Sequence, residues 1–426
     1  MPLKILINGA GICGPALTIF LLRSDPNHDI TVVERSDDLR TTGQQIDIRA
    51  QGIPLMRKLG ILKKIRERTV TELGLALVDA KDRTQALLAV NDSGKGQQAF
   101  TSEFEIMRGD AVNVLYEESL EVSKKAQSEG KGGGVKYQFG KYATELSQDD
   151  NGVDVVFSDG STGRYDLVIG CDGQGSRTRR MVWGEEVSQG MFKSLGAYVA
   201  FFSIPKDGEQ NVGKLFHLPE YRIVFTRTGN RPVSQVCMGT LNVTDGLKES
   251  VNMTVDEQKM VWKRLYNDCA WQRDRLLDGL DKTDDFYMSH IGQVKMESWS
   301  KGRVVLAGDA GYCPSSFTGQ GSTASLVGSY ILAGELAKHG EDITAALESY
   351  DKVLRPYIDE MQKLIPGTPN FLYPKTEWGI WGLQTFVWVI TSLKIDKAIN
   401  MLLPEGKGGL VIPEYPELNL PGDQPQ

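Results

Sequence analysis

The sequence predicts an α/β fold: a Rossmann-like dinucleotide-binding domain built from separated stretches, an inserted antiparallel β-sheet domain, and a C-terminal helix. Three observations predict it. A glycine-rich turn follows the first apolar strand. Buried-strand patterns return at 165–170 and 301–306, each ending in a turn that pairs Gly with Asp. Between them, residues 187–243 alternate β-branched and aromatic side chains in the manner of a separate sheet.

In chain order, Leu3, Ile5, Leu6 and Ile7 form the apolar run of a strand buried on both faces, which leads into Gly9, Gly11 and Gly14 in a G-x-G-x-x-G frame. The first glycine permits a tight turn, the second lets main chain approach a pyrophosphate, and the third lets helix and strand pack closely. Pro15 and the apolar Leu17, Ile19, Leu21 and Leu22 mark the helix that follows; its N-terminus favours phosphate, so Ile12 and Cys13 join the glycines as candidate contacts. Residues 29–34 (DITVVE) read as the second strand. Glu34 lies about 20 residues past the glycines, where a carboxylate accepts hydrogen bonds from a ribose, and Arg35 follows it.

Residues 43–52 (GQQIDIRAQG) alternate Ile46 and Ile48 with Asp47 and Arg49, which fits either an extended segment beside a ligand or a plain surface connection. Weak alternation over 73–104, with Gly94 and Gly96 in a polar turn, suggests strands outside the first sheet. Arg108-Gly109-Asp110 opens a helix through Gln127, with Val112, Leu115 and Leu120 as packing residues. Residues 135–139, 143–146 and 153–157 read as a three-stranded meander turning at Asn151-Gly152. The strand at 165–170 ends in Cys171-Asp172-Gly173, with Ser176 and Arg179 close behind, and a helical segment spans 255–277. The strand at 301–306 ends in Gly308-Asp309, and Ser322 or Thr323 caps a long helix to about His339. Residues 378–393 are uncharged and aromatic-rich but shorter than the roughly 20 residues a spanning helix needs. They are expected to pack in the core or bridge domains, without membrane contact; the Pro-rich 404–426 reads as an extended tail.

At 426 residues, 40% apolar and 24% charged, the composition is that of a globular protein with a large core. A net charge of −7 and the lack of a basic stripe interleaved with aromatics argue against nucleic acid as partner. Five scattered cysteines and four distant histidines fit neither a disulfide framework nor metal-ligand spacing, so no metal site and a reducing, cytoplasmic compartment are expected. The first strand begins almost at once, and no signal peptide is expected. Nothing fixes the oligomeric state; a monomer is expected.

Taken together, the first turn, Asp172-Gly173 with Ser176 and Arg179, and Gly308-Asp309 with Gly319-Gln320-Gly321 resemble the three fingerprints of the group A flavoprotein monooxygenases, the family of para-hydroxybenzoate hydroxylase. The motifs fall in the family's order along nearly the whole chain, nearest the tetracycline-inactivating branch. The resemblance implies an FAD-binding domain (1–72, 105–182 and 296–370), a substrate domain (73–104 and 183–295) and a C-terminal bridging helix and tail (371–426). It assigns to FAD the residues Gly9, Gly11, Ile12, Cys13, Gly14, Glu34, Arg35, Asp47, Arg49, Arg108, Asp172, Asp309, Gly319, Gln320, Gly321 and Ser322, with Arg179 as the partner of Asp172. Where the family often has histidine, proline and asparagine, this chain has Tyr312, Ser316 and Thr323.

The implied reaction uses NAD(P)H and O2: the reduced flavin adds O2 at its C4a position, and the resulting hydroperoxide passes one oxygen to an aromatic or polycyclic small molecule. Epoxidation, Baeyer–Villiger insertion and a non-enzymatic binding protein on the same fold stand as alternatives. Substrate contacts are sought in the inserted sheet, among Tyr198, Phe201, His217, Arg222 and Phe225. Arg222 is the foremost catalytic candidate, because a cation in an apolar pocket holds a phenolate ionised; Arg227 is its rival, and Tyr198 and His217 are the other catalytic candidates.

Overall fold

Side-chain parity along the first strand sets the layers of the cofactor domain. In β1 (Lys4–Asn8), Ile5 and Ile7 enter one core while Leu6 enters another on the opposite face, as a strand's period of two requires. The structure, a computed structural model, describes residues 2–89, 104–243, 246–393 and 411–423. The proposed turn at Gly94 and Gly96 and the first part of the tail lie outside the described residues.

After β1 come α1 (Cys13–Ser24), β2 (Asp29–Val33), β3 (Gln45–Asp47), α2 (Gly52–Lys58), α3 (Leu62–Arg66), β4 (Gly74–Val78) and β5 (Thr84–Ala89). Next are β6 (Glu105–Met107), α4 (Arg108–Ser128), β7 (Gly134–Gln138), β8 (Ala143–Asp149), β9 (Gly152–Phe157), β10 (Thr162–Tyr165), β11 (Leu167–Gly170), α5 (Arg177–Trp183) and α6 (Glu185–Met191). The long β12 (Phe192–Pro205) is followed by β13 (Gly213–Leu218), β14 (Arg222–Arg227), β15 (Val233–Thr240), α7 (Leu247–Ser250), α8 (Val255–Leu265), α9 (Arg273–Lys282) and β16 (Tyr287–Val294). The chain returns through β17 (Ser300–Lys301), β18 (Val304–Leu306), α10 (Asp309–Tyr312), α11 (Gly321–His339), α12 (Ile343–Met361) and α13 (Glu377–Ser392).

The first sheet has six strands in the order β17-β18-β11-β1-β2-β7, parallel except for β17. Helices α1, α4 and α11 share a core with one face, and the small sheet β8-β9-β10 packs its Val153, Val155 and Phe157 with Leu6 and Val168 on the other. Residues 135–139 therefore do not begin a meander: β7 pairs in parallel with β2 after the crossover helix α4, and the third meander strand is β10.

The inserted sheet has seven strands in the order β16-β12-β15-β14-β13-β4-β5. Its rear face carries Tyr198, Ala200, Phe202, Phe216, Leu218, Val224, Val236 and Met238 into a core with Trp262 of α8, Tyr266 at its C-cap and Leu276 of α9. Its front face carries Ala197, Val199, Phe201, Cys237 and Leu241, which gather with Phe317 from the turn before α11.

Several local expectations change. The segment at 255–277 is two helices broken at 266–272. Leu120 is exposed. Neither Ser322 nor Thr323 caps α11, whose N-cap is Gln320 without a side-chain cap. The uncharged segment forms α13, in which no residue is buried; it lies along β5 and β13 with Trp378, Trp381 and Trp388 exposed, so it is not a core helix. The described part of the tail is docked rather than extended. Tyr415, Leu418 and Leu420 are buried, Tyr415 Oη donates to Glu335 Oε1 at 2.5 Å, and a Cβ on Gly334 would meet the Tyr415 ring at 2.3 Å.

Candidate functional site

The first turn is closed by contacts that admit only glycine. Gly9 has φ +112° and a Cβ there would lie 2.5 Å from Cys171 O; a Cβ on Gly14 would lie 2.1 Å from Gly9 O. The first and second glycine motifs thus meet at Gly9 and Cys171. Helix α1 has no side-chain cap at Ile12 and no acidic residue in its first turn, so main-chain N–H groups and the positive end of the helix are left for an anion. Cys13 offers only its main chain. Its thiol turns inward, with Cys171 Sγ and Ser329 Oγ each at 3.4 Å. Glu34 braces the turn, its Oε2 accepting from Ala10 N at 3.0 Å and its Oε1 from Ser36 N at 3.1 Å; the neighbouring Arg35 is exposed.

Arg108 opens α4 and lies across this turn. A Cβ on Gly11 would come within 3.3 Å of its Nη2, and one on Gly43 within 3.1 Å of its Cδ. Its Nη1 is buried with no hydrogen-bond partner among the described residues. Burial, with Arg40 nearby, lowers its pKa, while Tyr287, Asp309 and Glu34 favour its charge. Asp309 follows Gly308, whose φ of +64° turns the chain out of β18, and burial raises the carboxyl above the usual range against the pull of Cys313 and Arg108. A Cβ on Gly321 would sit 3.8 Å from Asp309 Oδ1, so the carboxylate faces the N-terminus of α11. There Gly319 has φ +63°, Ser322 is half-buried, and the buried Gln320 Oε1 has no partner among the described residues.

Two open helix N-termini, a buried guanidinium with an unused donor, an unused amide oxygen and two carboxylates thus lie around Arg108 and the first turn of α11. That donor set fits the groups of FAD: open helix N-termini suit phosphates, and carboxylates suit ribose and ribityl hydroxyls. No group of three or more His, Cys, Asp or Glu among the described residues could hold a metal ion.

Asp47 and Arg49 pair with each other, and Arg49 main chain is tied to Thr323 of α11, its N donating to Oγ1 at 3.2 Å and its O accepting from Oγ1 at 3.1 Å. Asp172 is spent on its own turn: it accepts from Ser176 Oγ at 2.5 Å and from Thr178 N at 2.9 Å. The expected Asp172–Arg179 pair is replaced by hydrogen bonds from Arg179 to Ala310 O at 2.6 Å, Gln174 O at 2.7 Å and Ser188 Oγ at 2.9 Å. Arg179 thereby ties the second motif to the third.

On the front face of the inserted sheet, registered neighbours form an aromatic row, Phe225–Cys237–Phe201–Tyr287. Phe201 stacks on Tyr287 with centroids 5.0 Å apart, and Arg40 lies 5.3 Å from the Tyr287 ring. The adjoining row contains His217, Ile223 and Gly239. Tyr373, arriving before α13, fills the space over Gly239, where a Cβ would lie 2.5 Å from its Oη, and meets Phe317 edge-on.

Of the three catalytic candidates, the sheet separates two from this face. Tyr198 belongs to the rear core, stacked 4.5 Å from His290. Arg222 also points to the rear, bonded to Asp268 at 2.6 and 2.8 Å and to Leu265 O at 2.5 Å. His217 is on the front face but buried; loss of solvent lowers its pKa to about 4 despite contact with Leu372 main chain. Arg227 is on the front face, bound by Glu72 and Glu105. Sequence reasoning missed Phe317, Tyr373, Arg40 and Gln235. Only Phe317 had a local signal, its position two residues before Gly319.

Residues 3–363 match the family model described as FAD binding domain. The chain is 45% identical over 423 residues to FAD-dependent monooxygenase asL6 of Sarocladium schorii, covering 98% of this chain and 99% of that one. It is 33% identical over 419 residues to flavin-dependent monooxygenase eupH of a Phoma species, covering 93% of each. The crystal structure of tetracycline destructase Tet(51) superposes with a TM-score of 0.76 at 31% identity, over 97% of this chain and 100% of that one. With a donor set that fits FAD and these likenesses over nearly its whole length, the chain belongs to the FAD-binding-domain family and is an FAD-dependent monooxygenase acting on small molecules.

Proposed function

We propose that the enzyme uses NAD(P)H, typical of its family, and O2 to hydroxylate an aromatic or polycyclic compound. The observation that carries this reading is the front-face row of Phe225, Phe201 and Tyr287 together with Phe317 from the turn at the flavin edge. Flat apolar rings bury well against such a row. The name of one structural neighbour, a tetracycline destructase, supports a fused-ring class.

FAD held at that site would supply the redox chemistry, hydride acceptance from NAD(P)H and activation of O2 for transfer of one oxygen atom. In this reading Gly9, Gly11, Ile12, Cys13 and Gly14 give main-chain N–H groups to the pyrophosphate, and Glu34, with Arg35 beside it, serves the adenosine end. Arg108 lends its free Nη1 to the cofactor, Asp309 takes a ribityl hydroxyl, and Gly319 to Ser322 hold the flavin edge. Asp172 shapes the second turn. The apolar floor keeps water from the reacting carbon. His217 and Tyr373 are its polar marks, and burial, which lowers the first pKa and raises the second, keeps both neutral as hydrogen-bonding groups for a substrate oxygen. A cytoplasmic enzyme, supported by five free thiols, and a monomer complete the proposal; no described helix is long and apolar enough to cross a membrane.

The test is to follow NADPH and NADH oxidation by purified protein with phenols, polyketides and tetracyclines, and to analyse products by mass. Oxidation stimulated by a ring compound, with a product heavier by one oxygen, is expected. Stimulation only by acyclic ketones or alkenes would replace hydroxylation with Baeyer–Villiger insertion or epoxidation.

A further inference from the structure

The front face ends in a polar patch that the proposed reaction leaves unused. Arg227 Nε donates to Glu72 Oε2 at 3.0 Å, and its Nη2 donates to Glu105 Oε1 and Oε2 at 2.7 and 2.8 Å. Glu105 Oε2 also accepts from Gln45 Nε2 at 2.8 Å. Gln235, registered opposite Arg227 on β15, uses both ends of its amide on the same segment: Oε1 accepts from Gln45 N at 2.9 Å, and Nε2 donates to Gly43 O at 3.0 Å.

Burying a cation with two carboxylates is an expensive route to stability, and an apolar trio of equal volume commonly does as well. What the ionic group adds is direction. The segment it grips touches Arg108 at Gly43, and its far end is tied to Thr323 at the first turn of α11. Residues 43–49 are thus slung between the inserted sheet and the helix that borders the flavin edge.

We propose that Gln235 and the Arg227–Glu105 pair are positioning residues that hold residues 43–49 against bound FAD, so that the inserted sheet sets this edge of the cofactor site. The proposal rests on the cofactor assignment above and not on the identity of the substrate. Charged groups facing Glu105 are Arg227 of β14, Glu72 before β4 and Asp47 of β3; burial pushes Glu105 up to about 6 even with Arg227 in contact. Below that pH, protonation weakens the grip on Arg227 and releases the segment.

The test compares wild-type holoenzyme with Gln235→Leu, Gln235→Glu and Glu105→Gln. FAD dissociation is read by flavin fluorescence, the bound cofactor by its visible bands, and the fold by apo-protein melting. Gln235→Leu is expected to weaken FAD binding about tenfold and shift the visible bands, about the effect of losing one well-placed polar contact, while apo-protein melting falls modestly because Gln45 N and Gly43 O lose their partner and the variant stays folded at the assay temperature. Gln235→Glu keeps the acceptor for Gln45 N and should recover part of the loss. Wild-type FAD release should rise below pH 6, and Glu105→Gln should flatten that profile. Wild-type affinity and spectrum in Gln235→Leu would overturn the proposal alone. If that variant does not fold, an unchanged spectrum and pH profile in Glu105→Gln overturns it. Wild-type protein that binds no FAD would overturn the cofactor assignment as well.

Discussion

Acidification from pH 7 to pH 4 should cost the folded protein stability through His217, and the size of the loss follows from its burial. The imidazole is 4% exposed, and its pKa falls from 6.5 to about 4 because burial penalises the cation. A histidine depressed in the fold binds fewer protons than in the unfolded chain, so its contribution is complete above pH 6.5 and is lost as pH drops toward 4. A shift of this size corresponds to about 3 kcal/mol at 1.36 kcal/mol per unit. For a chain of this length, that is a fall of roughly 3–4 °C in melting temperature. The assay is thermal melting of wild type and His217→Phe from pH 4 to 8, because the difference between the curves removes every other titrating group. The wild-type curve should fall away from that of the variant between pH 6.5 and 4. Parallel curves would refute the claim that His217 is held neutral in a solvent-free site.

Three further outcomes follow from contacts described above. Gly14→Ala puts a Cβ 2.1 Å from Gly9 O and should yield protein with little bound flavin by absorbance. Arg222→Ala should lower stability by about 1–3 kcal/mol in denaturant titrations yet leave kcat and KM unchanged, since its partners Asp268 and Leu265 lie behind the sheet. Gly239→Ala displaces the Tyr373 hydroxyl and should change substrate-stimulated NAD(P)H oxidation with flavin content unaltered; equal stimulation in variant and wild type would remove Tyr373 from the proposed substrate contacts.

The cofactor half was legible because its signals are local. Strand, turn and helix occupy 3–22 without a break, and Gly9 and Gly14 admit no other side chain. The inserted sheet was only partly legible, and parity explains where the reading failed. Tyr198 and Phe201 are an odd number of residues apart on one strand, as are Arg222 and Phe225 on another, so neither pair can share a face. Alternation alone could have separated them, but choosing the set on the uncovered face required knowing which face α8 and α9 cover. The fate of 135–139 was hidden because parallel pairing with β2 depends on a partner some hundred residues away. Tyr373 left no pattern at all: it comes from an irregular segment and matters only because Gly239 is empty beneath it.

The parallel sheet recruits β1, β11 and β18 from widely separated parts of the chain, and Tyr415 then closes over Gly334. On a ribosome adding roughly 5–20 residues per second, β1 emerges first and waits tens of seconds for β18. Its β11-side edge stays without its final neighbour for much of that interval, while β2 and α1 are available to it almost at once. Deleting residues 411–423 would uncover the Gly334 face of α11, because Tyr415, Leu418 and Leu420 are buried against the cofactor domain's core.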